Sequence, residues 1–218
     1  MTRDTPWHER QHHDAAGMVG LCPVHHRKAD GGAFTVEQFR EYKRLAAADA
    51  PTVRGTFDWL RRDVALVAGS NFFVECGVAV EVRRRPALWF NRDEDGYALL
   101  NVRMPQSGPS RRVFIEDNFW THRGNVADLV CPPGGKSLDV SYGNGDRLKV
   151  EFTDVPDEVT LRRHHPNAPE VALPLTIVEV GMCLPDLGLE FDTRQTRIGT
   201  NTMQNCVIMH CGVGLSVN

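Results

Sequence analysis

The sequence lacks several features that mark familiar classes of protein. No run of apolar residues approaches the roughly 18 that a membrane-spanning helix needs, and the opening MTRDTPWHERQ has no apolar segment of a secretory signal. A disulfide framework is not expected either, because the six cysteines are scattered through a chain of 218 residues, well above the size of small disulfide-stapled proteins, and this predicts reduced thiols. We therefore expect a cytoplasmic protein with no membrane partner.

A strong excess of positive charge is also missing. The formal net charge is -3; residues 1–62 contain 10 Lys and Arg against 8 Asp and Glu, and residues 63–218 contain 15 against 20. General nucleic-acid-binding proteins usually present a strongly basic surface. Composition alone therefore does not indicate nucleic-acid binding, and such a function has to rest on local chemistry.

What the sequence does contain is a short N-terminal module and a longer β-rich region. We predict a module over residues 1–50, a linker over 51–62 and a mainly β domain over 63–218, which makes the fold class α+β. A hydrophobic content of 41% is enough to form a core in that domain. Apolar alternation and Gly, Pro, Asn and Asp clusters predict strands at 64–68, 72–82, 87–91, 97–103, 112–116, 137–142, 148–152, 171–180 and 205–217.

One helix is clearly marked in the N-terminal module, over about residues 36–49. Thr35 is a good N-cap, and Gln38 three residues later completes a capping box. Phe34 and Phe39 occupy the positions of a hydrophobic staple around this cap. The sequence therefore predicts a helix that begins just after Thr35.

Two features describe the β domain more closely. The Asn-Gly-Asp at 144–146 between two alternating segments predicts a hairpin turn. Gly69-Ser70-Asn71 followed by CGVAVEV (76–82) is echoed by Gly199-Thr200-Asn201 followed by CGVGLSV (211–217). The echo leaves two architectures open: stacked coils of a β-solenoid, or two equivalent strands of a β-sandwich.

Histidines are concentrated near the N-terminus. Imidazole and thiolate are the usual ligands of zinc, and carboxylate with imidazole suits harder divalent ions, so the cluster predicts a metal site. The alternative is that these are ordinary surface or core side chains without a metal. The cluster consists of His8, His12, His13, Asp14, Cys22, His25 and His26. The other four histidines, which we predict to be structural, are His122, His164, His165 and His210.

The segment LCPVHH (21–26), followed by Lys28, Asp30 and the helical EYKRL (41–45), resembles the signature of HNH (ββα-metal) endonucleases. The resemblance covers about residues 11–45. It implies a β-hairpin followed by a metal-binding helix. It also implies a divalent metal ion, Mg or Mn at a catalytic site or else Zn, and cleavage of phosphodiester bonds in nucleic acid, DNA before RNA.

The resemblance also implies roles for individual residues. His12 or His13 would be the base that activates water, and His26 would be a ligand of the catalytic metal ion. Asp14 would be a second metal ligand or an orienting group. Cys22 and His25 match the second half of a zinc knuckle that supports the hairpin.

Three features depart from the family pattern. No CxxC pair precedes Gln11, Gly17 stands where the family has asparagine, and the interval from His13 to Cys22 is short. Residues encoded upstream could complete the site. A closed zinc site is a further alternative, formed by His8, His13, Cys22 and His25.

The departures favour a second class of function, a non-catalytic binding protein. In that hypothesis the N-terminal module is a structural zinc-bound or metal-free cap, and the β domain recognises a ligand or a partner. Two basic clusters in the β domain, Arg83-Arg84-Arg85 and Arg111-Arg112, fit phosphate contacts or a charged strand edge that discourages pairing. A protein partner or an oligomer is left open.

Overall fold

A computed structural model of the chain describes residues 2–3, 18–48, 52–105, 112–123, 126–132 and 134–217. The chain forms two compact units, Met1–Ala50 and Pro51–Asn218. Helices dominate the first unit and strands the second, so the predicted α+β class is confirmed. None of the helices in these ranges is both long and apolar enough to cross a bilayer.

The first unit contains a pair of short strands and two helices. Strand β1 (Thr2–Arg3) pairs antiparallel with β2 (Met18–Val19), and helices α1 (Pro23–Asp30) and α2 (Val36–Ala48) follow. The apolar periodicity of the sequence does not predict α1, although the HNH resemblance implies a helix that carries His26. It is favoured instead by proline in its first turn, where a missing N–H is harmless, and by basic residues in its last turn.

Helix α2 begins as its sequence predicts. The Thr35 N–H donates to Gln38 Oε1 at 2.8 Å, and the Gln38 N–H donates to Thr35 Oγ1 at 3.2 Å, which forms the capping box. The rings of Phe34 and Phe39 lie 5.3 Å apart, and Phe39 is buried. The predicted start is therefore confirmed, and the helix reaches Ala48 at the end of this described range.

The second unit is built from strands and one helix. Its strands are β3 (Thr52–Thr56), β4 (Val64–Ala68), β5 (Asn71–Val74), β6 (Val78–Val82), β7 (Arg85–Arg92), β8 (Ala98–Arg103), β9 (Phe114–Glu116), β10 (Phe119–Arg123), β11 (Asp128–Val130), β12 (Ser137–Ser141), β13 (Arg147–Val155), β14 (Leu175–Leu184), β15 (Leu189–Phe191), β16 (Thr196–Ile198), β17 (Asn201–Met203), β18 (Val207–Met209) and β19 (Val213–Val217). Helix α3 spans Glu158–His164, and a short 3-10 helix spans Pro185–Leu187.

These strands form two sheets that share a core. The first has the order β19-β6-β7-β8-β9-β10-β3. The second has the order β11-β12-β13-β14-β15-β16-β17, and β4 pairs in parallel with the first half of β14 and leads through β5 to β18. Buried side chains from both sheets, such as Leu88 and Leu100 of one and Leu138 and Leu148 of the other, belong to a single cluster. The sheets therefore form a sandwich around that cluster.

Two further elements, the β12–β13 hairpin and helix α3, are fixed by residues in their own turn or cap. The turn at 144–146 joins β12 and β13 as an antiparallel hairpin, as its sequence predicts. Helix α3 covers a second, smaller cluster that includes Leu161 and Ile177. Asp157 caps this helix, because its side chain accepts a hydrogen bond from the Thr160 N–H at 2.8 Å.

The segment 51–62, predicted as a linker, contributes structure to the second unit. Strand β3 pairs with β10, and Phe57 and Trp59 are buried against the ring of Phe152 at 5.0 and 6.0 Å. Strand β3 is an edge strand with little apolar alternation, so its sequence resembles that of a loop.

The Cys-Gly-Val echo corresponds to two stacked segments. Residues 72–82 and 207–217 pair in parallel, each residue beside the one 135 positions later, as in adjacent rungs of a β-solenoid. Each predicted strand is divided by a corner, where Glu75 and His210 both have a left-handed φ of 52°. Asn201 lies in β17, and the neighbour of Asn71 is Cys206 instead. The Cys-Gly-Val segments of the echo are therefore stacked, whereas its two Gly-x-Asn segments are not.

Candidate functional site

The first pair of candidate metal ligands lies at the start of α1. Cys22 is the N-cap residue, and its Sγ lies 3.0 Å from Nδ1 of His25. Hydrogen bonds from the backbone and then the side chain of His25 lower the pKa of Cys22 to about 7. A tetrahedral zinc ion holds a thiolate sulfur and an imidazole nitrogen about 3.5 Å apart. In this structure Sγ and Nδ1 are hydrogen-bonded to each other at 3.0 Å, slightly closer than two ligands of one zinc ion, and both side chains are exposed.

His26 has a different partner, although it follows His25 directly. Its Nδ1 lies 2.9 Å from Oδ2 of Asp30, one helical turn later. A metal-binding histidine commonly donates one ring N–H to a carboxylate, which fixes the ring and leaves the other nitrogen for the metal. Asp30 is placed to orient His26 in this way. Cys22 and His25 therefore pair with each other, and His26 pairs with Asp30.

The remaining predicted site residues are His8, His12, His13 and Asp14, and they lie outside the described residues. Within the described ranges, no three His, Cys, Asp or Glu side chains come together as a metal-binding group. The donor pair of Cys22 and His25 fits half of a tetrahedral zinc site. The other ligands would have to come from elsewhere in the chain or from water.

The four histidines predicted to be structural have protein partners or an exposed position. His122 is buried, and its Nδ1 lies 3.2 Å from the hydroxyl of Tyr142. His165 Nε2 lies 2.9 Å from Glu179, and His210 Nδ1 lies 2.8 Å from Glu75. His164 is exposed at the end of α3.

The β domain contains a cavity that the sequence signals only in part. The turn between β6 and β7, the end of β8 and the start of β9 surround a space of about 960 Å³. Four arginines line it: Arg83, Arg85, Arg103 and Arg112. The basic clusters include three of these, but Arg103 stands alone in the sequence. Only the order of the strands brings it beside the others.

Comparison of the chain with protein families, with curated proteins and with solved structures returned no match.

Proposed function

We propose that the N-terminal module is an HNH-like, metal-dependent endonuclease that cleaves phosphodiester bonds in nucleic acid, DNA before RNA. One observation carries the proposal: at the start of α1, Cys22 pairs with His25, whereas the adjacent His26 pairs with Asp30. These two sets correspond to the two roles that the HNH resemblance implies for this segment, a supporting zinc site and a ligand of the catalytic metal ion.

Each residue has a distinct part in this proposal. Cys22 and His25 hold a supporting zinc ion, and the Cys22 pKa of about 7 supplies the thiolate that zinc prefers. His26 holds the divalent ion of the cleavage site, and Asp30 keeps its ring in position. His12 or His13 takes a proton from the attacking water, a role that suits an imidazole near pH 7.

The divalent ion supplies Lewis-acid chemistry, since it neutralises charge on the scissile phosphate when it is bound. The protein's own contribution is to position this ion and the base relative to the nucleic-acid backbone. Asp14 is proposed as a second ligand or as an orienting group.

The experiment measures zinc content and plasmid nicking on the full chain. Cys22→Ser and His25→Ala should lose bound zinc, whereas Cys183→Ser should retain it. His13→Ala and His26→Ala should lower the rate of nicking in Mg or Mn by at least about 100-fold, the range expected for an essential base or metal ligand. His164→Ala, on the exposed end of α3, should leave both readouts unchanged.

Two results would contradict the proposal. Nicking that persists in EDTA would show that the cleavage needs no divalent ion. Undiminished nicking by both His13→Ala and His26→Ala would remove the assigned residues from the reaction. Zinc binding without any nicking would instead support the non-catalytic cap that the missing CxxC pair and asparagine favour.

A further inference from the structure

The cavity in the β domain gathers positive charge from three separate parts of the chain. Arg83 and Arg85 come from the β6–β7 turn, Arg103 from the end of β8, and Arg112 from the segment before β9. Among the described residues, those that line the cavity include no Asp or Glu. A concave surface with several guanidinium groups and no carboxylate attracts anions.

Three of these arginines have no carboxylate partner among the described residues: Arg83, Arg85 and Arg103 are all exposed and form none of the ion pairs found there. Arg103 instead lies over the ring of Trp89, with 5.2 Å between its Cζ and the ring centroid. The guanidinium groups are therefore available to a ligand.

Arg112 has a different environment, which holds it rigidly. Its Nε donates to Oδ2 of Asp146 at 2.6 Å, and its Cζ lies 4.4 Å from the centre of the Tyr142 ring. Both side chains of this ion pair are largely buried. Arg112 therefore forms a fixed wall of the cavity, whereas the other three arginines present free donors.

The turn that contains Arg83 has a backbone conformation that is unusual for arginine. Arg83 and Arg84 both have left-handed backbone conformations, with φ of 50° and 59°. Two-residue hairpin turns of this kind favour Asn and Gly, which adopt positive φ easily. Local backbone geometry therefore gives no reason for arginine in this turn.

The rest of the lining is apolar. Pro86, Met104, Pro105 and Phe114 lie between the arginines, and Phe114 is partly exposed. A ligand that matches both parts carries a phosphate for the guanidinium groups and a flat, weakly polar ring for the apolar wall. Guanidinium groups bind phosphate through paired N–H donors, and aromatic rings stack on nucleobases.

We propose that this arginine-lined cavity binds a nucleotide through its phosphate. The nucleotide is either free or part of a single strand, and both sources offer the same phosphate and base. The site lies entirely within the second unit and does not depend on metal binding or cleavage by the N-terminal module.

The test uses the full chain in EDTA, which prevents metal-dependent cleavage of the probe. A short, fluorescein-labelled single-stranded oligonucleotide is titrated by anisotropy, and ATP and adenosine are then compared by calorimetry. Arg85→Gln and Arg103→Gln should each weaken phosphate-dependent binding by about tenfold, because each removes a charge-assisted hydrogen bond. Arg163→Gln, on α3 and away from the cavity, is the matched control.

The outcomes are distinct. Binding of ATP, with or without the oligonucleotide, supports the cavity as a free-nucleotide site, and binding of the oligonucleotide alone supports a site for a strand. In both cases the two cavity variants must weaken binding and the control must not. Adenosine that binds as tightly as ATP would overturn the proposal, and so would equal effects of Arg163→Gln and Arg85→Gln, or wild-type affinity in both cavity variants. Urea unfolding of each variant verifies that the fold is intact.

Discussion

At the scale of the residue, the buried hydroxyl of Tyr142 organises the region behind the arginine cavity. It accepts a hydrogen bond from the buried Val113 N–H at 2.7 Å and lies 3.2 Å from Nδ1 of His122. Burial raises the pKa of Tyr142, which keeps the hydroxyl protonated at neutral pH. The hydroxyl can therefore accept from the backbone and donate to an imidazole nitrogen at once.

Tyr142→Phe should lower the free energy of unfolding by about 1–3 kcal/mol, because it leaves a buried N–H without its acceptor. Urea unfolding measures the change. Tyr97→Phe is the control, since no hydrogen bond to the Tyr97 hydroxyl is found among the described residues and the change should be small. Equal losses in the two variants would show that the Tyr142 hydroxyl has no special part in stability.

Residue-level signals in the sequence were strong only where the interaction is local. The capping box of Thr35 and Gln38 could be predicted because its partners are three residues apart. The pairing of His26 with Asp30 depends on α1, which the HNH resemblance implies but apolar periodicity does not predict. The contact between Tyr142 and Val113 joins residues far apart in sequence, and nothing local to either one indicates it.

At the scale of the element, the stacking of 72–82 on 207–217 depends on close approach of the backbones. A Cβ at Gly214 would lie 2.7 Å from the ring of Phe73 and 2.8 Å from the carbonyl oxygen of Ala79. A Cβ at Gly212, two residues earlier, would meet nothing within 4 Å. The two glycines thus make a matched pair within one stacked segment.

Gly214→Ala should destabilise the β domain by about 1–3 kcal/mol, the usual cost of overpacking, because β19 has to move away from β6. Gly212→Ala should have little effect. Urea unfolding measures stability, and hydrogen exchange should show faster exchange of the β19 amides in Gly214→Ala only. Similar behaviour of both variants would argue against the tight stacking of this rung.

The sequence echo suggests this stacking and also its register, because the two Cys-Gly-Val motifs are 135 positions apart, as the paired residues are. The repeated Cys-Gly-Val is visible in the sequence, and the structure places Sγ of Cys76 and Sγ of Cys211 3.1 Å apart. The corners at Glu75 and His210 could not be predicted, because positive φ is uncommon outside glycine and these side chains give no signal for it. Continuous strands were expected there for that reason.

At the scale of the whole molecule, the buried core lies in the second unit. Both clusters of buried residues come from positions 57–191, and Phe39 is the buried apolar side chain identified in the described part of the first unit. A module of only about 50 residues usually needs a metal or disulfide for stability. The second unit has enough buried apolar surface to fold by itself.

The start of the second unit differs between the structure and the sequence-based prediction. The structure begins the second unit at Pro51, whereas the sequence alone predicts a domain that begins at residue 63. The difference is decided by β3, Phe57 and Trp59, which are part of the sandwich. Sequence patterns miss this boundary because an edge strand and two isolated aromatics lack periodicity.

We expect a fragment of residues 51–218 to unfold at the same midpoint as the main transition of the full chain. A fragment of residues 63–218 should be markedly less stable, because removing Phe57 exposes the ring of Phe152 and leaves a cavity, a change that costs about 3–5 kcal/mol for a buried phenylalanine. Thermal and urea unfolding of both fragments measure the difference. Equal midpoints for the two fragments would show that residues 51–62 add nothing to stability, as expected of a linker. A lower midpoint for 51–218 than for the full chain would show that the first unit stabilises the second.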